Sequence, residues 1–421
     1  MQTKRFPLSS WACGDATRAP EEQVREWAEI GLTLIMTPTV TDDPRTHAHV
    51  RRMLDLCAEN GIEAMVLDNR VATPGGNWRN PPEVRTLPAD YRERAAEAVK
   101  EFGKHPAVWG FHVTDEPLCG NVPAVAQACR TLGELTDRVP YVNYLPNHII
   151  DDDGGFGTIR EQTGFQDFGA YLDHVVQETG TKLLSYDQYC SMSEEWGGPD
   201  HYYRCLADYQ GAAIRHGIDF WNIILAHGHW MYKAPTPLQM SWQFYSSLAY
   251  GAQGIIYFQY RGGWNFGYGA PIDELGNRGP LFHQLQRQHH QFLTQWAPRY
   301  RDCRPVSTQH WPNAPAGLKR FDGTGIVESL VESPMTTRLP SPPSHLLVGE
   351  FRDSRGRPHV LLANGSAEKH TEAIVTVKGK AIHAIVGGDG EQPVGKSLPD
   401  GRACLRDFIM PGQALFFRVE T

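Results

Sequence analysis

His105-Pro-Ala-Val-Trp-Gly-Phe-His-Val-Thr-Asp-Glu-Pro117 runs from a helix end through an almost unbroken apolar segment into two adjacent carboxylates stopped by proline. Val108–Asp115 therefore reads as a strand buried on both faces, as in a parallel sheet covered by helices. On either side, Ala89–Phe102 and Val122–Leu135 carry apolar residues at helical spacing. The same alternation extends through the first three hundred residues. Strands are predicted at Phe6–Cys13, Leu32–Pro38, Ile62–Asp68, Val108–Asp115, Tyr141–Leu145, Lys182–Tyr189, Phe220–Ala226 and Gly254–Tyr260. Further helices are predicted at Glu21–Ile30, Thr46–Asn60, Phe165–Glu178, His201–His216, Leu238–Tyr250 and Leu281–Ala297. Eight strand–helix units define an α/β class chain with a (β/α)8 TIM barrel, which takes about 250 residues.

Beyond Tyr300 the texture changes. Leu346-Leu-Val-Gly-Glu-Phe, the turn Asp353-Ser-Arg-Gly and His359-Val-Leu-Leu-Ala-Asn read as a hairpin. Short runs at Glu372–Val377, Ala381–Val386 and Ala414–Val419 add a small antiparallel all-β C-terminal domain. The expected division is a barrel over 1–310 and a β-sandwich-like domain over 311–421.

The 421 residues carry 48 acidic and 40 basic side chains, a formal charge of −8. That balance lacks the basic field with which proteins displace counterions from phosphate, so nucleic acid is excluded as a partner. No run of about 20 apolar residues is present to span a membrane. The eight cysteines are scattered singly, without the spacing of disulfide frameworks or zinc sites. With no apolar leader after Met1, a cytoplasmic location is expected. Eleven Trp and sixteen Tyr supply flat faces suited to sugar C–H surfaces, although most such rings serve as core.

In such barrels the active site lies at the C-terminal ends of the strands. Glu116 ends the fourth, and the proline after it predicts an extended backbone that holds it at the rim, with Asp115 pointing the opposite way. Asp-Glu-Pro would equally suit a helix N-terminus. Glycoside cleavage needs a protonated carboxyl beside the leaving oxygen and a second carboxylate or equivalent. Glu116 meets the first need, since burial and a neighbouring charge raise a carboxyl pKa. Asp187 ends the sixth strand between two tyrosines and is the candidate base or nucleophile; an N-cap role is the structural alternative. Trp11, Asp68, Asn143, Tyr186, His227, His229, Trp230, Gln259, Tyr260 and Trp264 fall at other strand ends and are candidate contacts to sugar. His227 and His229 lack further ligands at metal spacing, so no metal and no cofactor is expected.

Gly110-Phe-His-Val-Thr-Asp-Glu-Pro117 resembles the fourth-strand motif of clan A barrel glycoside hydrolases, where x-Glu-Pro carries the acid/base. His105-Pro-Ala-Val-Trp-Gly, Tyr141-Val-Asn-Tyr-Leu-Pro, Leu184-Ser-Tyr-Asp-Gln-Tyr and Ser247-Leu-Ala-Tyr-Gly-Ala-Gln-Gly-Ile-Ile-Tyr-Phe are similar to segments of a group of bacterial glycosidase-like proteins. Met410-Pro-Gly-Gln-Ala-Leu-Phe-Phe-Arg resembles their C-terminal β modules. The resemblance implies a glycosidase acting on an oligosaccharide or glycoside, with Glu116 as acid/base. Clan A enzymes also place a nucleophilic glutamate at the end of strand seven, and here Phe220-Trp-Asn-Ile-Ile-Leu-Ala-His-Gly-His-Trp contains no acid. Asp187 can replace it. Alternatively Asp115-Glu116 resembles the adjacent pair of substrate-assisted hexosaminidases, with Tyr186 supporting the intermediate. A carbohydrate-binding barrel without catalysis and a metal-dependent hydrolase using His227 and His229 are the rivals.

Overall fold

The structure, a computed structural model, describes residues 3–73, 83–147, 159–263, 267–333, 344–388 and 390–421. Eight parallel strands form one sheet in the order β1-β8-β7-β6-β5-β4-β3-β2. They are β1 Leu8–Ser10, β2 Leu34–Met36, β3 Glu63–Leu67, β4 Val108–Asp115, β5 Val139–Tyr144, β6 Leu183–Asp187, β7 Asp219–Leu225 and β8 Ile255–Phe258. Every predicted strand is present, most of them trimmed at the ends. The β1–β2 seam is bridged by Thr33: its N–H donates to Leu8 O at 2.9 Å, and its Oγ1 accepts from Leu8 N–H at 2.9 Å. The barrel is therefore nearly closed, as the sequence predicts.

The apolar faces of the surrounding helices seal the outside of the sheet. In the helix Val122–Leu135, for example, Val122, Val125, Ala128, Cys129 and Leu132 are buried at helical spacing. Pro44 and Pro237 open their helices behind the capping side chains Asp43 and Thr236, which accept N–H groups that the first turn leaves unpaired.

The remaining strands are antiparallel: β9 Arg304–Trp311, β10 Val327–Glu332, β11 Leu346–Arg352, β12 Pro358–Asn364, β13 Thr371–Val377, β14 Ala381–Ile385, β15 Glu391–Val394, β16 Lys396–Ser397, β17 Ala403–Ile409 and β18 Ala414–Glu420. They form a six-stranded sheet, β15-β14-β18-β12-β11-β9, and a four-stranded sheet, β10-β13-β17-β16. The predicted hairpin is the β11–β12 pair. Alternation along the six-stranded sheet gives it two apolar faces. Leu347, Leu361, Ala363 and Phe416 join the barrel core, whereas Val348, Val360, Leu362 and Phe417 pack with the four-stranded sheet. Contact with the barrel helices is close enough that a Cβ on Gly349 would stand 2.3 Å from Ala249 O. Hydrogen bonding of this module begins at Arg304, a few residues before the expected boundary.

Candidate active site

β4 carries one more residue than β5 between the pairs His112–Tyr141 and Thr114–Val142, a bulge that sets Asp115 beside Asn143. The next residue departs from expectation. Glu116 donates its N–H to Asn143 O at 2.8 Å and then turns with φ +44°. It is left-handed, against the extended preference that a following proline imposes, and Pro117, which has no N–H, adds no further bond to the ladder. The turn breaks the two-residue alternation, so Asp115 does not point away from Glu116. Both carboxyls face Asp187 of β6, and both remain partly exposed. The alternative of a helix N-terminus is also set aside, since the following α-helix starts only at Val122.

Among the described residues, the non-glycine positions with positive φ are Ala12, Glu116 and Trp230. They follow β1, β4 and β7, all at the C-terminal mouth. Such a conformation costs about 1–3 kcal/mol per residue and concentrates where function demands a geometry that packing alone would not choose.

Asn143 ties the acids together. Its Nδ2 donates to Asp115 Oδ1 at 3.0 Å and to Asp187 Oδ1 at 2.8 Å, an orientation set by two facing acceptors. Its Oδ1 accepts from Ser185 Oγ at 3.3 Å, which in turn stands 2.6 Å from Tyr141 OH. The Tyr189 hydroxyl and the Glu116 carboxyl also lie beside Asp187. Burial, then the charges of Asp187 and Asp115, lift Glu116 well above the carboxylate range. Burial raises Asp187 as well, and its neighbours, the Asn143 donor first, oppose that rise. Burial and the Asp187 charge push Asp115 up to about 7.

Below the acids lie Trp11 and Tyr141, packed on His112 at ring distances of 5.5 and 6.0 Å. Opposite, after β7, burial holds His227 and His229 near pKa 4, so both imidazoles are neutral. His227 Nδ1 accepts the backbone N–H of Gln259 at 2.7 Å, which puts its hydrogen on Nε2. The side chain of Gln259 is itself largely buried. No acid occurs between Leu225 and Trp230, and no three His, Cys, Asp or Glu side chains cluster as a metal would need among the described residues.

Three predicted contacts are placed elsewhere. Tyr186 points outward and stacks on Tyr209, with ring centroids 3.7 Å apart. Tyr260 is buried against the first helix, bonding Glu26 and accepting from Trp27 Nε1 at 2.8 Å. Asp68 is locked by Arg70, whose Nη2 lies 2.7 Å from its Oδ2. Trp264 lies outside the described residues. Tyr189, absent from the predicted contacts, lies beside Asp187; it follows β6 in a turn rather than the strand, so strand alternation gave no signal for it. A crevice of about 500 Å³ opens at the other end of the barrel beside Trp109, Trp221, Arg138 and Arg301, and none of the site residues line it.

No protein-family model matches this sequence, and no curated protein matches it. Among solved structures, a GH42 β-galactosidase from G. stearothermophilus aligns with 100% of this chain and 99% of its own at TM-score 0.62 and 10% identity. A family 5 glycoside hydrolase from Bacteroides vulgatus aligns with 99% of this chain and 89% of its own, at TM-score 0.56 and 10% identity. A β-galactosidase from the psychrophilic Marinomonas ef1 aligns with 68% of this chain at TM-score 0.50 and 12% identity, and this chain spans 59% of its length. The fold is thus that of barrel glycoside hydrolases, with the β module included in the similarity to the GH42 structure.

Proposed function

We propose that this chain is a glycoside hydrolase in which Glu116 protonates the leaving oxygen. One observation carries the reading: Asp115, Glu116 and Asp187 gather at the C-terminal end of the barrel, with Asn143 Nδ2 bridging Asp115 and Asp187. Burial and then the neighbouring charges raise Glu116 well above the carboxylate range, the direction a general acid needs. An entering glycosidic oxygen accepts the Glu116 proton. Asp187 is then the second carboxylate, held as an anion by Asn143 and Tyr189, and it stabilises the oxocarbenium-like centre or draws a proton from water. Asp115 adds negative potential. Neutral His227 and His229 and the indole of Trp11 offer hydrogen bonds and a stacking face to the sugar.

The panel that tests this starts from β-galactosides, the substrates named for two of the structural relatives, and includes 2-acetamido sugars, which an Asp115–Glu116 pair could orient. Wild type should release reducing ends from at least one glycan, and Glu116→Gln should lose that turnover while keeping its thermal unfolding transition. The bare end of β7 favours one rival, a carbohydrate-binding barrel. Tight binding by wild type with no released reducing ends across the panel would establish that reading.

A further inference from the structure

A chain of buried polar groups runs behind the acids. Tyr141 and Asn143 of β5 and Ser185 of β6 are all almost wholly buried. Asn143 Nδ2 stands 3.0 Å from Asp115 Oδ1 and 2.8 Å from Asp187 Oδ1, contacts that only the amide nitrogen can make as a donor. Asn143 Oδ1 therefore takes a different partner: Ser185 Oγ donates its single proton to it at 3.3 Å. Ser185 Oγ is then the acceptor of its 2.6 Å bond with Tyr141, whose hydroxyl donates. Burial pushes that phenol well above its usual range, so it keeps its proton. The Tyr141 ring packs on His112 at 6.0 Å and on Trp221 at 6.1 Å. Every proton in the chain points toward the acids.

Aligned hydrogen bonds polarise one another, and an amide deprived of its Oδ1 donor both loses that polarisation and is freer to turn its oxygen toward the carboxylates. The hydroxyls of Tyr141 and Ser185 are committed to this chain, so they act through Asn143. We infer that Tyr141 and Ser185 are positioning residues for the active site, which hold Asn143 Nδ2 on Asp115 and Asp187 and thereby favour the ionised form of both. The effect on turnover rests on the glycosidase reading; the effect on the acids does not. The titratable groups facing Asp187 are Asp115 and Glu116 from β4, Tyr141 from β5, Tyr189 and Tyr232 after β6 and β7, and Cys205 and Tyr209 from the helix Gly198–His216. Burial raises the tyrosines and Cys205 and holds His112, His227 and His229 near pKa 4. Between about pH 5 and 8 the acids are therefore the groups that change charge there.

The test compares Ser185→Ala and Tyr141→Phe with wild type, and calorimetry across pH 4 to 8 reads the acids without any substrate. Loss of the relay weakens the Nδ2 bonds, so Asp115 and Asp187 hold their protons to higher pH and the variants lose stability where those acids ionise. The Tm deficit of Ser185→Ala should therefore be larger at pH 8 than at pH 4, by about 1–3 °C. Tyr141→Phe, in which Ser185 still donates, should show a smaller difference of the same sign. On the glycan that wild type cleaves, Ser185→Ala should move the acidic limb of kcat/KM to higher pH and lower kcat about three- to tenfold, with KM little changed. A deficit equal at both pH values, or an acidic limb that stays in place, overturns the relay and leaves the role of Glu116 standing. If wild type cleaves no glycan, the glycosidase reading fails, while a deficit that grows with pH still supports the relay and an equal one overturns it.

Discussion

At the end of β4 the backbone turns through left-handed Glu116, and at the end of β7 it turns through left-handed Trp230. The first turn delivers a carboxyl to two others. The second delivers an indole beside two neutral imidazoles. On the β4–β6 side of the mouth three acids gather, two of them bridged by one asparagine, whereas the histidines after β7 are uncharged. Carboxylates crowded together cannot all ionise, which accounts for the upward direction at Glu116 and Asp115. No acid lies between Leu225 and Trp230, so on the proposed reading the second carboxylate comes from the same cluster.

The largest effect that would break this comparison is on the charged side. Glu116→Gln should lower kcat/KM by about 10²–10⁴, the usual contribution of a general acid. Asp187→Asn should cost about 10² and also change the pH profile. Removing the anion that raises Glu116 lowers its pKa, so the alkaline limb moves to lower pH. A limb that stays in place would show that Asp187 does not set the proton on Glu116.

A smaller effect separates two tyrosines. Tyr189→Phe removes a donor to Asp187 and should lower kcat several-fold, whereas Tyr186→Phe should leave kcat/KM within about twofold of wild type. Its hydroxyl is buried without a hydrogen bond, so its removal should be neutral or slightly stabilising. Equal losses in the two variants would contradict the placement of Tyr189 beside Asp187 and of Tyr186 on the outer side of β6.

The smallest effect is on stability. A carboxyl with a raised folded-state pKa binds its proton more tightly in the fold than in the unfolded chain. Its contribution is therefore full below about pH 4 and declines as the pH rises through about 7, the value of Asp115. Asp115→Asn should raise Tm by about 1–3 °C at pH 8 and by less at pH 4, read by calorimetry.

The barrel was legible because its strands are buried on both faces, so that runs such as Leu32-Thr-Leu-Ile-Met stand out against the periodic helices between them. The ends of those strands were legible only as positions. Side-chain direction there depends on bulges and single left-handed residues, which composition does not announce. Glu116 and Asp187 stood out as candidates because acids ending buried strands need a reason. The bulge in β4 and the turn at Glu116, which bring Asp115 into the same cluster, had no such mark. Tyr186 and Tyr260 were misplaced for a different reason: each is one residue out of phase with its inward neighbour, and an aromatic at a strand end packs as readily on a helix as on a sugar. The long contact between β11 and the helix Pro237–Ala249 also had no sequence signal beyond Gly349 itself.

The dependence of cleavage on leaving group tests the central claim most directly. Wild type and Glu116→Gln would be compared on two glycosides of one sugar, one releasing an alcohol that needs a proton and one releasing dinitrophenolate, which does not. If Glu116 supplies that proton, the variant loses about 10³ or more on the first and far less on the second. Equal losses on both substrates, or none on either, would contradict the assignment.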